Sequence, residues 1–489
     1  MKKIKVLIFL IVFSISIPSI GQSWTKIEGR IYHDDPTDME IGNDNNTYTI
    51  KDPFEFNKVD SIGNLLWSWK PIFFNNSQIL VKDISVSNDI FITGWLTGSV
   101  KIGDSVYSSS KNSFKEFFIS KFNESKKPLW TIRAKSADTI ANQETSSGGL
   151  SVKVSKKNKL YALVDIGKPV VIGGDTIFNN DYDSTYYVSH NYLIKMDTSG
   201  GIEWSREYDC HFIEVDTSDN YYTIQSNIVK KYDNDANLLW QRTFNSSVSQ
   251  IELDKWNNLY TITDSTLHKV NITNGHDEWE TNISMYGSYE ISSNSLGMVL
   301  VSGIKSTTNS NKPPVNKSST YFEYFDKLGH KMGFLRWAIP KGNGHSYPKA
   351  IQLQKNSKIY VYGQIFSIDK DTFEFGKETL SNIGNTDTYL SSIPLDDWVI
   401  IGLRNNIEDD KFNYLVYPNP TSDILVIEHI DFHSSKLETS LCDFLGREVQ
   451  TNIIKGYITK LNLSQLDPGL YILKIKNKSG TLAFKILKK

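Results

Sequence analysis

Ile251-Glu-Leu-Asp-Lys-Trp-Asn-Asn-Leu-Tyr-Thr-Ile-Thr263, then Leu267-His-Lys-Val-Asn-Ile-Thr-Asn-Gly275 and Trp279, is the stretch whose reading decides the fold. Ile251 and Leu253 alternate with polar residues, the period of a half-buried strand. Asp254 to Asn258 is a turn cluster, because Asp and Asn side chains bond their own backbone and tolerate unusual φ. Leu259 to Thr263 is β-branched and aromatic and reads as a second strand; Leu267 to Asn271 reads as a third. Thr273-Asn274-Gly275 is another turn, leading into a fourth strand through Trp279. Four short antiparallel strands cannot bury both faces of their own sheet, so this unit has to stack on others like itself.

The chain supplies the others. The first turn and the strand after it recur at Asn46/Tyr48, Asn88/Phe91, Asn158/Tyr161, Asn220/Tyr222, Asn258/Tyr260, Gly297/Val299 and Lys358/Tyr360. A Lys stands nine residues before a Trp at Lys58/Trp67, Lys121/Trp130, Lys195/Trp204 and Lys231/Trp240, with Lys269/Trp279 one residue longer. At Tyr324-Phe325-Asp326 the spacing to Trp337 breaks the rule. Trp24 to Ile50 is half a unit whose complement is expected at Tyr389 to Trp398. Pairing the two would close a ring and remove the open sheet edges that invite aggregation. Seven turns, with one unit shared between the ends, point to an all-β chain built as a seven-bladed β-propeller, with six or eight blades also compatible. The long units share a Gly-turn hairpin: Val100 to Val106, Val171 to Ile177 and Phe373 to Leu380. Lys305 to Thr320 and Asp138 to Gly149 are polar inserts with nothing to bury and read as loops.

The boundaries follow. Residues 1–21 have a basic start (Lys2, Lys3, Lys5), a short apolar run and small residues at Ser19-Ile20-Gly21, the pattern of a secretory signal peptide rather than a membrane span. Residues 22–403 are the propeller, 404–413 a charged linker and 414–489 a small Ig-like β-sandwich. No other stretch is apolar enough to cross a bilayer as a helix. Tyr (25), Phe (24) and Trp (11) are abundant, as strands require, and the formal charge of −2 gives no electrostatic case for nucleic acid. Cys210 and Cys442 fall in different domains, so no disulfide between them is expected.

Two resemblances emerge. Lys58 to Trp67, with its Asp-x-x-Gly-x-Leu-Leu core, and the Gly-Asp-Ser-Val hairpin at 103–106 resemble bacterial seven-bladed propeller repeats of exported proteins; Lys269 to Trp279 is similar to quinoprotein repeats. The more specific one lies at the end of the chain. Tyr417-Pro418-Asn419-Pro420, Leu445-Gly446, Asp467-Pro468-Gly469 with Tyr471, and the basic end with Lys488 and Lys489 resemble the type A C-terminal sorting domain of type IX secretion substrates. That resemblance implies a Bacteroidota-type cell, the type IX secretion machinery as partner, periplasmic transit and delivery to the cell surface or medium.

No residue set announces chemistry. The repeated Trp residues read as packing between blades, because every blade needs one. Trp95 and Trp256 fall outside the rule and are the candidate ligand contacts. Asp233-x-Asp235-x-Asn237 opens like a calcium loop, but Leu238 and Phe244 stand where Gly and Glu belong, so it reads as a turn. The nine His show no pair at ligand spacing on one strand. Quinoprotein and sialidase sites lack their acid, cysteine and arginine sets. No catalytic, metal or cofactor residues are therefore assigned, and no cofactor is expected. The expectation is a non-catalytic exported propeller that binds an extracellular glycan or protein; the alternative is a propeller enzyme acting on extracellular polysaccharide. Fold alone does not choose between them.

Overall fold

The computed structural model describes residues 24–28, 35–52, 54–109, 115–136, 147–167, 169–177, 189–254, 256–294, 297–306, 317–354, 358–368, 370–376, 378–394, 399–400, 414–417, 421–429, 437–443, 445–454, 458–477 and 480–488. The signal segment, the linker, Trp398, Pro418, Asn419, Pro420 and Lys489 lie outside them. The architecture is all-β.

The strands of the larger unit fall into four-stranded antiparallel blades. Their innermost strands are Asp35–Ile41, Ile72–Val86, Ser147–Val154, Phe212–Val215, Val248–Leu253, Tyr286–Ser293 and His345–Leu353; the blades are numbered one to seven in that order. Each innermost strand packs on the next, and the last returns to the first, so they ring a common axis. Closure is by the N-terminal strand. Trp24–Glu28 lies antiparallel on Thr386–Pro394 as the outer strand of blade seven, with Trp24 opposite Ser392 and Ile27 opposite Tyr389.

The cross-strand register explains the spacing rule. In blade four Glu214, Tyr222, Lys231 and Trp240 stand side by side across the four strands. The same transverse row is Glu40, Tyr48, Lys58, Trp67 in blade one. It is Glu252, Tyr260, Lys269, Trp279 in blade five. Lys nine before Trp is thus a cross-strand pair around one turn and one bulge. The row faces the next blade. The Trp240 indole N–H and the Lys231 ammonium both donate to Ile272 O of blade five, at 2.9 Å each. Trp279 donates to Lys327 O of blade six at 2.9 Å. The ring of Trp240 lies against Gly275, where φ is +76° and an added Cβ would sit 2.9 Å from the indole. A glycine is needed there for both reasons.

Three expectations are corrected. In blade six the residue in the Tyr place is Leu300, not Val299, and Tyr324 and Gly333 take the Lys and Trp places. Trp337 pairs with Thr320 instead, fully buried. Of the two expected loops, Ser318 to Thr320 and Ser147 to Gly149 are strand, because they find ladder partners in blades six and three; residues 307–316 and 137–146 lie outside the described residues. The Gly-turn hairpin read at Val171 to Ile177 is present as Val170–Ile172/Asp175–Ile177, and it extends the outer strand of blade two. Finally, Leu461, Leu463 and Leu466 suggest by their spacing a strand over Leu461 to Leu466, but the strand formed is Ile458–Asn462. The turn after it centres on Ser464 and Gln465, closed by Leu466 N–H to Leu463 O, and Gly469 already begins the next strand.

The C-terminal unit has two sheets: Tyr414–Tyr417, Ile424–His429 and Ile458–Asn462 in one, and Glu448–Ile454, Leu437–Asp443, Gly469–Asn477 and Gly480–Lys488 in the other. Leu425, Ile427, Leu461, Leu473, Ile475 and Ile486 fill the space between them. Cys210 and Cys442 are both buried and free.

Candidate functional site

The ring of innermost strands carries a polar lining that the sequence reading passed over. Two residues before each inner turn stand Glu40, Ser85, Lys153, Glu214, Glu252, Ser292 and Gln352. Two residues earlier again are Asp38, Asp83, Ser151, Gln250 and Glu290. In every blade but the fourth, the innermost strand has a register shift here, as between Pro36 and Asp38 or Val81 and Asp83. Such bulges bend the strand and re-aim its side chains.

Most of these groups have a structural task. An innermost strand has one unpaired edge, and the preceding blade satisfies it. Asp38 accepts the Ile84 N–H at 3.1 Å and Glu40 the Val86 N–H at 2.5 Å. Asp83 accepts both the Val152 N–H at 2.7 Å and the Ser151 hydroxyl at 2.6 Å. Ser85 accepts from Val154, Ser292 from Leu353, and Gln352 from Ile41, which carries the chain of bonds across the closure. Between blades three and four an ion pair replaces them, Lys153 to Glu214 at 3.1 Å.

The electrostatics are unusual. Burial first, and the bonded neighbour Asp83 second, hold the Asp38 carboxyl well above the usual carboxylate range. Burial pushes Glu40 and Glu290 each up to about 8. Burial, then the charge of Glu214, raises Glu252 well above its ordinary value, and burial raises Glu214 too. Burial works against the Lys153 ammonium, but Glu214, Asp83, Glu252 and Asp38 together raise it well above the usual lysine value. One lysine is felt by acids from four blades, as it must be where all of them face one axis. The lining is acidic: Asp38, Glu40, Asp83, Glu214, Glu252 and Glu290 surround Lys153, and the charge of the exposed Lys349 acts on Glu290.

The two tryptophans named from the sequence are not brought together. Trp95, half-buried on the second strand of blade two, carries the Lys115 ammonium 4.6 Å above its ring. Trp256 is 40% exposed in the inner turn of blade five, its N–H bonded to Asp254 Oδ1. The Asp233 loop is a turn: both carboxylate oxygens are used by Asp235 and Asn237. In the C-terminal unit Leu445 is exposed and Gly446, at φ +81°, turns the hairpin that Asp443 ties through the Leu445 and Arg447 N–H groups. The Tyr471 hydroxyl donates to Asp467 O at 2.9 Å, and Lys488 is buried opposite Gly469.

Residues 415–489 match the family described as Secretion system C-terminal sorting domain. This is a type IX sorting domain. The protein is therefore an export substrate, bound for the cell surface or the extracellular space. No curated protein matches the chain. Among solved structures the chain is similar to the C-terminal WD40 domain of Sif2, with 11% identity over 75% of this chain and 98% of that one and a TM-score of 0.41. It is also similar to BamB from Moraxella catarrhalis, with 11% identity, 78% and 94% covered and a TM-score of 0.29. PorZ of Porphyromonas gingivalis gives 10% identity, 93% and 81% covered and a TM-score of 0.23. Among the described residues no helix is long and apolar enough to cross a membrane.

Proposed function

We propose that the protein is a surface-delivered binding module. Its signal segment takes it to the periplasm, its sorting domain hands it to the type IX secretion machinery, and the propeller presents a ligand surface outside the cell. The observation that carries this reading is how the conspicuous polar residues are used. The Tyr–Lys–Trp rows and most of the axial acids hold blades together, whereas Trp256, on an inner turn, presents 40% of its surface to solvent. The ligand class is an extracellular glycan or protein. A glycan array and a pull-down from the native extracellular fraction test it. Specific binding weakened several-fold by Trp256→Ala supports the reading; turnover of a polysaccharide without stable binding overturns it.

One observation favours the second reading, an enzyme acting on polysaccharide. Burial, and then the neighbouring Asp83, hold the Asp38 carboxyl well above the usual carboxylate range, the environment in which a general acid is found. Against it, Asp83 already accepts from Ser151 and Val152. Hydrolysis of polysaccharide by the wild type, lost in Asp38→Asn with folding intact, would establish it.

A further inference from the structure

Blade five departs from the other blades at one place. His268 lies on its third strand, Thr266–Val270, directly opposite Glu280 on the outer strand, Asp277–Asn282. The register then shifts, so that Asp277 pairs with Val270 and joins the face that His268 and Glu280 share. Without that bulge Asp277 would point the other way. The same bulge occurs in blades one, two, three, four and six, but the residue in the Asp277 place is Leu65, Pro128, Ile202, Leu238 or Lys331. The His268/Glu280 pair is Asn57/Ser68, Ser120/Thr131, Ile194/Ser205, Lys230/Gln241 or Glu323/Phe334. None of these five blades carries the three ligating groups together.

We propose that His268, Asp277 and Glu280 form a binding site for a zinc-like divalent ion. His268 Nδ1 stands 3.2 Å from Asp277 Oδ2 and 3.5 Å from Glu280 Oε2, and the three ligand atoms lie within 4.8 Å of one another. A tetrahedral zinc with bonds of about 2.0–2.1 Å holds its ligands roughly 3.3 Å apart. The surroundings do what outer groups of a metal site do. Thr263 Oγ1 stands 2.9 Å from His268 Nε2, so that with an ion in place it accepts the Nε2 N–H and Nδ1, otherwise bonded to Asp277, is turned to the metal. Phe244 packs edge-on against the imidazole with ring centroids 5.1 Å apart, and His268 is buried. Arg242 grips Asp277 with both terminal nitrogens, at 2.6 and 2.5 Å, which fixes the carboxylate. That grip also lowers the negative charge. The site therefore suits an ion that takes imidazole and few ligands, and not calcium, which demands six to eight oxygens. Glu280, with its side chain 65% exposed, is the arm free to close on the ion. The fourth position opens on a cleft of about 520 Å³ lined also by Asn245, Ser246 and Asn282, where water or a polar ligand group can complete the shell.

The test is calorimetric titration of the full chain with Zn²⁺ against a competing chelator, with Co²⁺ absorption as the second readout. The expected result is one ion per chain, tetrahedral cobalt bands, and a rise in melting temperature with metal. Glu280→Gln, a surface change, should weaken binding at least tenfold, and Asp277→Asn more, while both still melt cooperatively in chelator. Absence of stoichiometric zinc binding overturns the proposal. So does binding by Glu280→Gln and Asp277→Asn as tight as by the wild type. The site lies apart from the axial ring, so neither result depends on what the ring or the loops bind.

Discussion

At the scale of single residues, the axial acids combine two roles that pull against each other. Glu40 must accept the edge N–H of Val86, which favours an ionised acceptor, yet its half-buried place favours the proton. Because Glu40 and Glu290 titrate near 8 when folded against about 4.5 when unfolded, the folded chain keeps protons that the unfolded chain has released. Stability from these groups is therefore full below about pH 4.5 and is lost as pH rises through 8. The melting temperature should rise when pH falls from 8.5 to 5.5, and Glu40→Gln, which keeps an acceptor for Val86, should flatten that slope. A calorimetric pH series checks both. Asp83 gives the complementary case. Asp83→Ala leaves the Val152 N–H and the Ser151 hydroxyl without their acceptor, and should cost about 2–3 kcal/mol in a urea melt, with Asp83→Asn costing less.

At the scale of elements, the transverse row is what makes a blade a repeat. Tyr, Lys and Trp each reach the next blade: the Tyr161 hydroxyl donates to Asp219 O, the Lys195 ammonium to Asn234 O, and the Trp130 indole to Thr198 O. Removing the outermost member should be felt on both sides. Trp240→Ala empties the contact with Gly275 and drops the bond to Ile272, at a cost of about 2–4 kcal/mol. Gly275→Ala attacks the same contact from the other side through a strained φ and a Cβ too near the indole. The double variant should cost less than the sum of the two, since both damage one contact; chemical denaturation of the three variants measures the coupling. The metal-site residues also belong here. His268 has no ligand neighbour along its own strand, so a search along the chain passes it by. The extra residue between Lys269 and Trp279 lies in the turn Asn271–His276 and does not place Asp277, which takes the position that Leu65 or Leu238 holds in blades of ordinary spacing.

At the scale of the whole molecule, closure distributes what no blade supplies alone. The strand Trp24–Glu28 covers the edge of Thr386–Pro394, and its Trp24 lies over Gly63 of blade one, donating to Ser61 O. Deleting residues 24–28 should open the ring, broaden the melting transition and yield oligomers by light scattering, because the freed edge can pair with another chain. Deleting residues 414–489 should instead leave the propeller folded but retained in the periplasm, detected by cell fractionation.

What the sequence by itself determined is whatever is written in local periodicity. Alternation marked the strands, Asp/Asn/Gly clusters the turns, and the recurring Lys and Trp a repeat that must close on itself. The motifs from Tyr417 to Lys488 marked the sorting domain. What only the tertiary structure decided is whatever depends on which strands become neighbours. Glu40 meets Val86, Lys153 meets Glu214 and His268 meets Asp277 across gaps that no single period spans. Blade six shows the limit from the other side: Leu300, Tyr324 and Gly333 fill the row by shape, without the residue types that announced it elsewhere. A transverse row is set by register between strands, and register is a property of the assembled sheet.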